Sequence, residues 1–310
     1  MKSVVFMGTP DFAVPALRVL AESEEYDVKL VISQPDRPQG RKQIMTPSPV
    51  KELALQYGLE MYQPENLRSD ETFEIIRNKT PDFIVVSAYG NILPKRILDI
   101  PKYGCVNLHG SLLPKYRGAA PIQWSVINGD KITGVTTMLM DVGLDTGDIL
   151  LTSEKTIGKN ETAGEVFDAL ADLCPDLLIK TLKGLEEGSI VPVKQDNSVA
   201  TYVSVLSKEM SVIDWSETAD TIHNLVRGLN PWPVARTSYN GKLLKIFKTS
   251  ATDKNSCLPA GSVIADNNEI LVVCGSGTVL AVDEVQLEGA KRMSSQDFLR
   301  GHSFEDGFSF

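Results

Sequence analysis

The sequence predicts an α/β fold, an open and doubly wound sheet domain followed by a small β-barrel domain, and three observations predict it. Apolar runs of strand length alternate with capped helical segments through the first half of the chain. A length of 310 residues exceeds what one hydrophobic core ordinarily supports, so two domains of roughly 150 residues are expected. Beyond Gly188 the alternation gives way to a polar stretch and then to short β-like runs divided by Gly and Asn turns.

Taken in order, residues 4–7 are an apolar strand and Gly8-Thr9-Pro10 a turn, with Thr9 as N-cap and Pro10 as first helical residue of a helix through Leu20. Asp27–Ser33 is a second strand, and Ser48-Pro49 caps a helix that ends at Gly58. Pro81–Tyr89 carries Phe-Ile-Val-Val, a run suited to a strand covered on both faces. Gly104–His109 and Thr133–Met140 are further strands, and the alternation implies a parallel sheet. Thr162-Ala163-Gly164-Glu165 is a capping box opening a helix that Pro175 should kink. This sets a first domain over 1–189. The polar stretch Val191–Ser198 places a linker over 190–206. In the second domain, 207–310, Ser216 caps an amphipathic helix carrying Ile222, Leu225 and Val226. Turns at Asn240-Gly241, Pro259-Ala260-Gly261, Asn267-Asn268 and Gly275-Ser276-Gly277 then separate the strands of a barrel.

Composition excludes several classes. With 42% hydrophobic and 23% charged residues the chain is an ordinary globular one, and no stretch reaches the ~20 uncharged apolar residues a membrane span needs. The opening apolar run is too short for a signal peptide. Four cysteines, Cys105, Cys174, Cys257 and Cys274, are scattered through apolar segments without paired spacing, so buried thiols, no disulfide, no metal site and a cytoplasmic location are expected. A net charge of -9 argues against broad nucleic-acid binding, so any RNA contact has to be local.

The chemistry concentrates in the segment 106–118. Residues two apart on a strand share a face, so Asn107 and His109 project together at a C-terminal strand end, where open parallel sheets bind ligands. Downstream, Asp141–Asp148 returns carboxylates after another strand. Attack on an acyl carbon needs a donor for the developing oxyanion, a group exchanging protons near neutral pH and a carboxylate that tunes it. An Asn, a His and an Asp supply those three roles. The same residues also fit a core histidine bonded to backbone, a turn-capping Asn and an acidic loop that is solvated or binds a cation, and the local pattern alone leaves both readings open.

A longer match narrows the choice. Asn107–Gly118 followed by Leu144-Asp145-Thr146-Gly147-Asp148 resembles the signature of the 10-formyltetrahydrofolate-dependent formyltransferases, whose members include glycinamide ribonucleotide and sugar-nucleotide formyltransferases. The resemblance implies a Rossmann-like catalytic domain in which Asn107, His109 and Asp145 are catalytic. It also implies that Ser111, Leu112, Leu113 and Pro114 line the folate site, with 10-formyltetrahydrofolate as cosubstrate and no metal. Val85–Pro94 is similar to the family's pterin-side wall, which brings in Tyr89, Asn91 and Ile92. Four further stretches, Gly8–Ala13, Gln34–Arg41, Pro47–Lys51 and Gly228–Pro233, resemble the tRNA-directed branch. That branch implies initiator methionyl-tRNA as partner and an OB-like second domain that contacts tRNA. A monomer is expected.

In the connection 34–49, Arg37, Arg41 and Lys42 outweigh Asp36. The charge alone fits a solvated loop equally well; the resemblance places it against the acceptor end of the tRNA, with Arg41 as contact, a task suited to a planar guanidinium. Lys242, Lys245 and Lys248 lie near one β-like run with Arg227 and Arg236 close in sequence. Simple alternation puts Lys242 and Lys248 on one face and Lys245 on the other. These are either edge-strand lysines that discourage aggregation or, as the resemblance implies with Lys245, a tRNA surface. Trp215 and Trp232 are expected to pack the barrel and its helix, and His223 and His302 to be structural.

Among rival functions, a nucleotide-dependent oxidoreductase lacks its fingerprint, because Gly8-Thr9-Pro10 is no Gly-x-Gly-x-x-Gly. A sugar-nucleotide formyltransferase shares the catalytic trio but has no need of the 37–42 cations. A non-catalytic RNA-binding protein has no need of the trio.

Overall fold

A computed structural model describes residues 1–39, 43–266 and 269–310. Its contacts group the chain into two compact units, the first made of Met1–Gly118, Gly134–Lys155 and Phe167–Tyr202 and the second of Ala119–Thr133, Thr156–Val166 and Val203–Phe310. In chain order the elements begin β1 (Lys2–Gly8), α1 (Val14–Ala21), β2 (Tyr26–Ile32), β3 (Arg37–Gln39), β4 (Ile44–Thr46), α2 (Pro49–Gln56), β5 (Met61–Tyr62), α3 (Asp70–Asn78), β6 (Phe83–Ser87) and α4 (Lys95–Leu98). They continue with β7 (Cys105–His109), β8 (Arg117–Gly118), α5 (Pro121–Ile127), β9 (Ile132–Leu139), β10 (Ile149–Thr156), α6 (Ala163–Glu187) and β11 (Tyr202–Val203).

Seven of these strands form one sheet in the order β10-β9-β7-β6-β1-β2-β5. The run from β5 to β7 is parallel, with Val5 opposite Ile84 and Val85 opposite Val106. Every residue of β6 and β7 is buried, the mark of a sheet covered on both faces. Strand β9 departs from the parallel expectation: it pairs antiparallel to β7, with Asn107 opposite Met138 and His109 opposite Thr136. Between them the chain passes through a turn and α5 and returns in the opposite direction.

Two helix starts differ from expectation. Thr9 does not cap α1, because a 3-10 turn over Asp11–Ala13 intervenes. Its hydroxyl instead donates to the Tyr89 carbonyl at 3.4 Å and accepts from the Gln34 N–H at 3.3 Å, tying three strand ends together. Ser48 does cap α2, accepting from the Lys51 N–H at 3.2 Å. The capping box at Thr162 and Glu165 forms with both reciprocal bonds, and α6 runs through Pro175 as one element.

The second unit continues with α7 (Ala219–Gly228), β12 (Arg236–Tyr239), β13 (Lys242–Asn255), β14 (Val263–Asp266), β15 (Glu269–Val273), β16 (Thr278–Leu287), β17 (Met293–Ser294) and α8 (Ser295–Leu299). Strands β12-β13-β16-β15-β14, with β17 on β16, form a curled antiparallel sheet. Bulges along β13 let so long a strand bend. Its core gathers Trp215, Ile222, Val226, Leu244, Ile246, Leu280, Val285 and Phe298.

The α7 cap is Thr218 and not Ser216, whose hydroxyl is taken by Asp214. Trp215 is buried and stacks on Phe310, whereas Trp232 is 54% exposed. His223 is structural, held between the Thr249 hydroxyl at 2.9 Å and the Lys159 carbonyl at 3.0 Å. Cys105, Cys174 and Cys274 are buried, which pushes all three thiols up, Cys174 to about 12 and Cys274 to about 11. Cys257 is exposed, against expectation.

Candidate active site

At the C-terminal end of β7, Asn107 and His109 lie on one face and are both buried, 8% and 6% exposed. The His109 Nε2–H donates to the Tyr116 carbonyl at 2.9 Å, since a carbonyl oxygen can only accept. The other ring nitrogen, Nδ1, then faces Asp145 Oδ2 at 3.8 Å. That carboxylate oxygen also accepts the Gly118 N–H at 2.8 Å. Residues 116–118 therefore hold the imidazole and the carboxylate at once. His109 and Asp145, two of the residues singled out from sequence, thus face each other, and Asn107 shares the strand face of His109 two residues away.

The backbone at this point is strained. Tyr116 and Asp145 both occupy the left-handed region, at φ 60° and 54°, a conformation that costs a non-glycine residue of order 1–3 kcal/mol and collects at functional sites. Around Asp145 the loop is tightly bonded. Asp141 Oδ1 accepts from the Gly143 N–H at 2.9 Å and from the Thr146 hydroxyl at 2.6 Å.

The turn 111–114 is set by buried hydroxyls. The Ser111 hydroxyl donates to the Lys115 carbonyl at 2.7 Å, and Thr136 Oγ1 links the Ser111 carbonyl to the Leu113 N–H. Ser111 is thus fully buried and engaged within the turn, with Leu113 buried and Leu112 and Pro114 half-buried beside it. On the β6 side Tyr89 is buried, which pushes its phenol up, while Asn91 is exposed and Ile92 is 53% exposed. Ser87 Oγ, buried at the end of β6 in register with Gly8 and Leu108, has no hydrogen-bond partner among the described residues.

Sequence reasoning assigned no role to three neighbours of the trio. Arg117, 1% exposed, donates through Nε and Nη2 to Gln195 Oε1 at 3.0 and 2.8 Å. The Gln195 amide nitrogen in turn donates to the Asp145 and Gly147 carbonyls, both at 2.8 Å. Thr201 accepts the Tyr116 N–H at 2.8 Å. Residues 190–202, expected to be a linker, are therefore bonded into the first unit; Val193 also bridges Ile149. Arg117 sat inside the recognised motif, but Gln195 lies far from it in a polar stretch with no local signal.

Of the cations expected to touch RNA, Arg37 is exposed on the β3–β4 hairpin, paired in register with Thr46. Arg41 and Lys42 lie outside the described residues. At the hairpin's base, bonds from Lys51 and Gln63 hold the Asp36 carboxyl below the usual carboxylate range. In the second unit a bulge between Ile246 and Lys248 reverses the expected alternation. Leu244, Ile246 and Thr249 are buried, which leaves Lys245, Phe247 and Lys248 directed outward together. Arg292 lies over the Phe247 ring at 4.3 Å and pairs with Glu284. Arg227 is no part of that face, being buried with its guanidinium on Asn224 and the Glu161 carbonyl.

Family comparison agrees with this geometry. Residues 1–182 match the formyl transferase family and residues 205–303 the formyl transferase C-terminal domain, and the chain belongs to that family. Within it, the chain is 52% identical over 304 residues to the methionyl-tRNA formyltransferase of Clostridium novyi (strain NT), covering 97% of each. It is 49% identical to that of Clostridium perfringens (strain SM101 / Type A), covering 98% of each. Among solved structures, the methionyl-tRNA formyltransferase from Clostridium thermocellum shares the fold at a TM-score of 0.59 and 20% identity, over 93% of this chain and 99% of that one. A sugar 3N-formyl transferase, WlaRD, crystallised with dTDP and 5-N-formyl-THF, does so at 0.68 and 20% identity, over 94% and 99%.

Proposed function

We infer that this chain transfers the formyl group of 10-formyltetrahydrofolate to the α-amine of the methionine carried by initiator tRNA, producing N-formylmethionyl-tRNA for translation initiation. The observation that carries the reading is near-full-length identity of about half to relatives of that name, together with the trio assembled at one strand end. The neutral amine attacks the formyl carbon, the bond to N10 breaks, the amine nitrogen loses a proton and N10 gains one. Asn107 and His109 hold the oxyanion of the tetrahedral intermediate, and Asp145 orients His109 and water for proton removal.

The turn Ser111–Pro114 and the β6 end with Tyr89, Asn91 and Ile92 form the folate side. Arg37, Arg41, Lys42 and Lys245 contact the tRNA, and the outward alignment of Lys245 and Lys248 with Phe247 supports a local RNA surface. Among the described residues no helix is long and apolar enough to cross a membrane. The proposed reaction supplies translation initiation and so belongs to the cytoplasm, and the chain is proposed to act as a monomer.

The test is a formylation assay with purified protein, 10-formyltetrahydrofolate and methionine charged on initiator or elongator tRNA. Transfer to the initiator alone is expected. Equal transfer to both removes the initiator assignment, and transfer only to an amino-sugar nucleotide removes the tRNA reading altogether.

A further inference from the structure

We propose that Gln195 is a positioning residue for formyl transfer, clamping the Asp145 loop from a buried arginine. The proposal rests on the reading of Asp145 as part of the catalytic trio. Its ground is a chain of bonds in which each partner fixes the next. An arginine side chain only donates and a peptide carbonyl only accepts. Gln195 lies between the two kinds, with Oε1 against Arg117 Nε and Nη2 and Nε2 against the carbonyls of Asp145 and Gly147. Both amide hydrogens and both lone pairs of the side chain are thereby used, and its orientation admits no flip.

The anchor is firm. Arg117 is fully buried; its Nη1 donates to the Tyr202 hydroxyl at 2.8 Å and its Nη2 to Asn197 Oδ1 at 2.9 Å, and its guanidinium lies 5.5 Å from the Tyr202 ring centroid. What the clamp holds is an aspartate in the left-handed region on a half-exposed loop, whose own bonds run through Asp141 to Gly143 and Thr146 and leave the Asp145 and Gly147 carbonyls to Gln195. With the Asp145 carbonyl fixed by Gln195 and its carboxylate fixed by the Gly118 N–H, the side chain can point only toward His109. Strand β8 thus supplies both ends, Arg117 through its side chain and Gly118 through its backbone.

Glutamate separates this role from a merely structural one. Gln195→Glu keeps both acceptors for Arg117 and strengthens them by charge, but presents no donor to the two loop carbonyls. Gln195→Ala removes everything. The measurements are kcat and the KM values for folate and charged tRNA, thermal unfolding, and amide exchange of residues 141–148. Both variants are expected to lose between about tenfold and a hundredfold in kcat, with KM values within about threefold, as misplacement without lost binding requires. Exchange of 141–148 rises in both, while Gln195→Glu unfolds at a higher temperature than Gln195→Ala.

Near wild-type kcat in Gln195→Glu overturns the proposal, because holding Arg117 was then the whole role. So does lost activity with unchanged exchange at 141–148, or raised exchange with unchanged kcat. Asp145→Ala is measured alongside. If it keeps wild-type turnover, the reading of the trio fails; if it loses turnover and Gln195→Glu does not, the clamp alone fails.

Discussion

Gly147 stands where no side chain has room. A Cβ there would fall 1.7 Å from the Leu139 carbonyl oxygen, a backbone atom unable to yield without moving the β9–β10 connection that carries Asp145. Gly147→Ala is therefore expected to destabilise by about 1–3 kcal/mol or more, the range for forced overpacking, and to lower kcat with it. Denaturant unfolding and a formylation assay on the same preparation check both; wild-type values for both would mean that the loop tolerates displacement. At this scale the sequence was legible where a residue's chemistry is rare and its neighbours are local. Asn107, His109 and Asp145 stood in two short segments, and strand alternation alone put the first two on one face. Gln195 was illegible because nothing near it in sequence marks a residue whose partners are Arg117 and the 145–147 carbonyls.

Among elements, strands were read where they were long and apolar, so β1, β2, β6 and β7 were found, while the two-residue β5 and the polar-faced β10 were not. Alternating burial in β10 reflects an edge strand, whose signal is weaker than that of a doubly covered run. Helix starts were harder, because several hydroxyls near a start compete for the cap. Thr9 was drawn to strand ends by Tyr89 and Gln34, and Ser216 to Asp214, leaving Thr218 to accept from the Thr221 N–H at 3.3 Å. Thr218→Ala should accordingly cost about 1 kcal/mol of stability, and Ser216→Ala distinctly less. Chemical denaturation of the two variants ranks them, and the reverse order would return the cap to Ser216. On β13 the alternation rule failed at a bulge, a feature that depends on pairing with β16 and leaves no trace in the residue pattern.

For the whole molecule the question is how a chain of net charge -9 holds a polyanion. If contact is confined to Arg37, Arg41 and Lys42 and to the outward Lys245 and Lys248, the log-log salt slope of tRNA binding should be shallow, near a few phosphates at about 0.7 each. A steep slope would require a wide basic face that the composition lacks. Arg41→Ala should weaken tRNA use by about 1–3 kcal/mol and leave folate affinity intact; loss of both would make the 34–49 connection a support of the fold. The division into an α/β sheet unit and a curled antiparallel unit was legible from the change of pattern past Gly188, but the assignment of 119–133 and 156–166 to the second unit was not, since it depends on contacts made only after folding. The measurement that tests the account most directly is the single-turnover rate of formyl transfer from 10-formyltetrahydrofolate to initiator methionyl-tRNA in His109→Ala and Asp145→Ala, at saturating concentrations of both substrates. A loss of more than about tenfold (~1.4 kcal/mol) in each, with tRNA and folate still bound, is the predicted result; a rate near wild type in either would contradict the assignment of the trio.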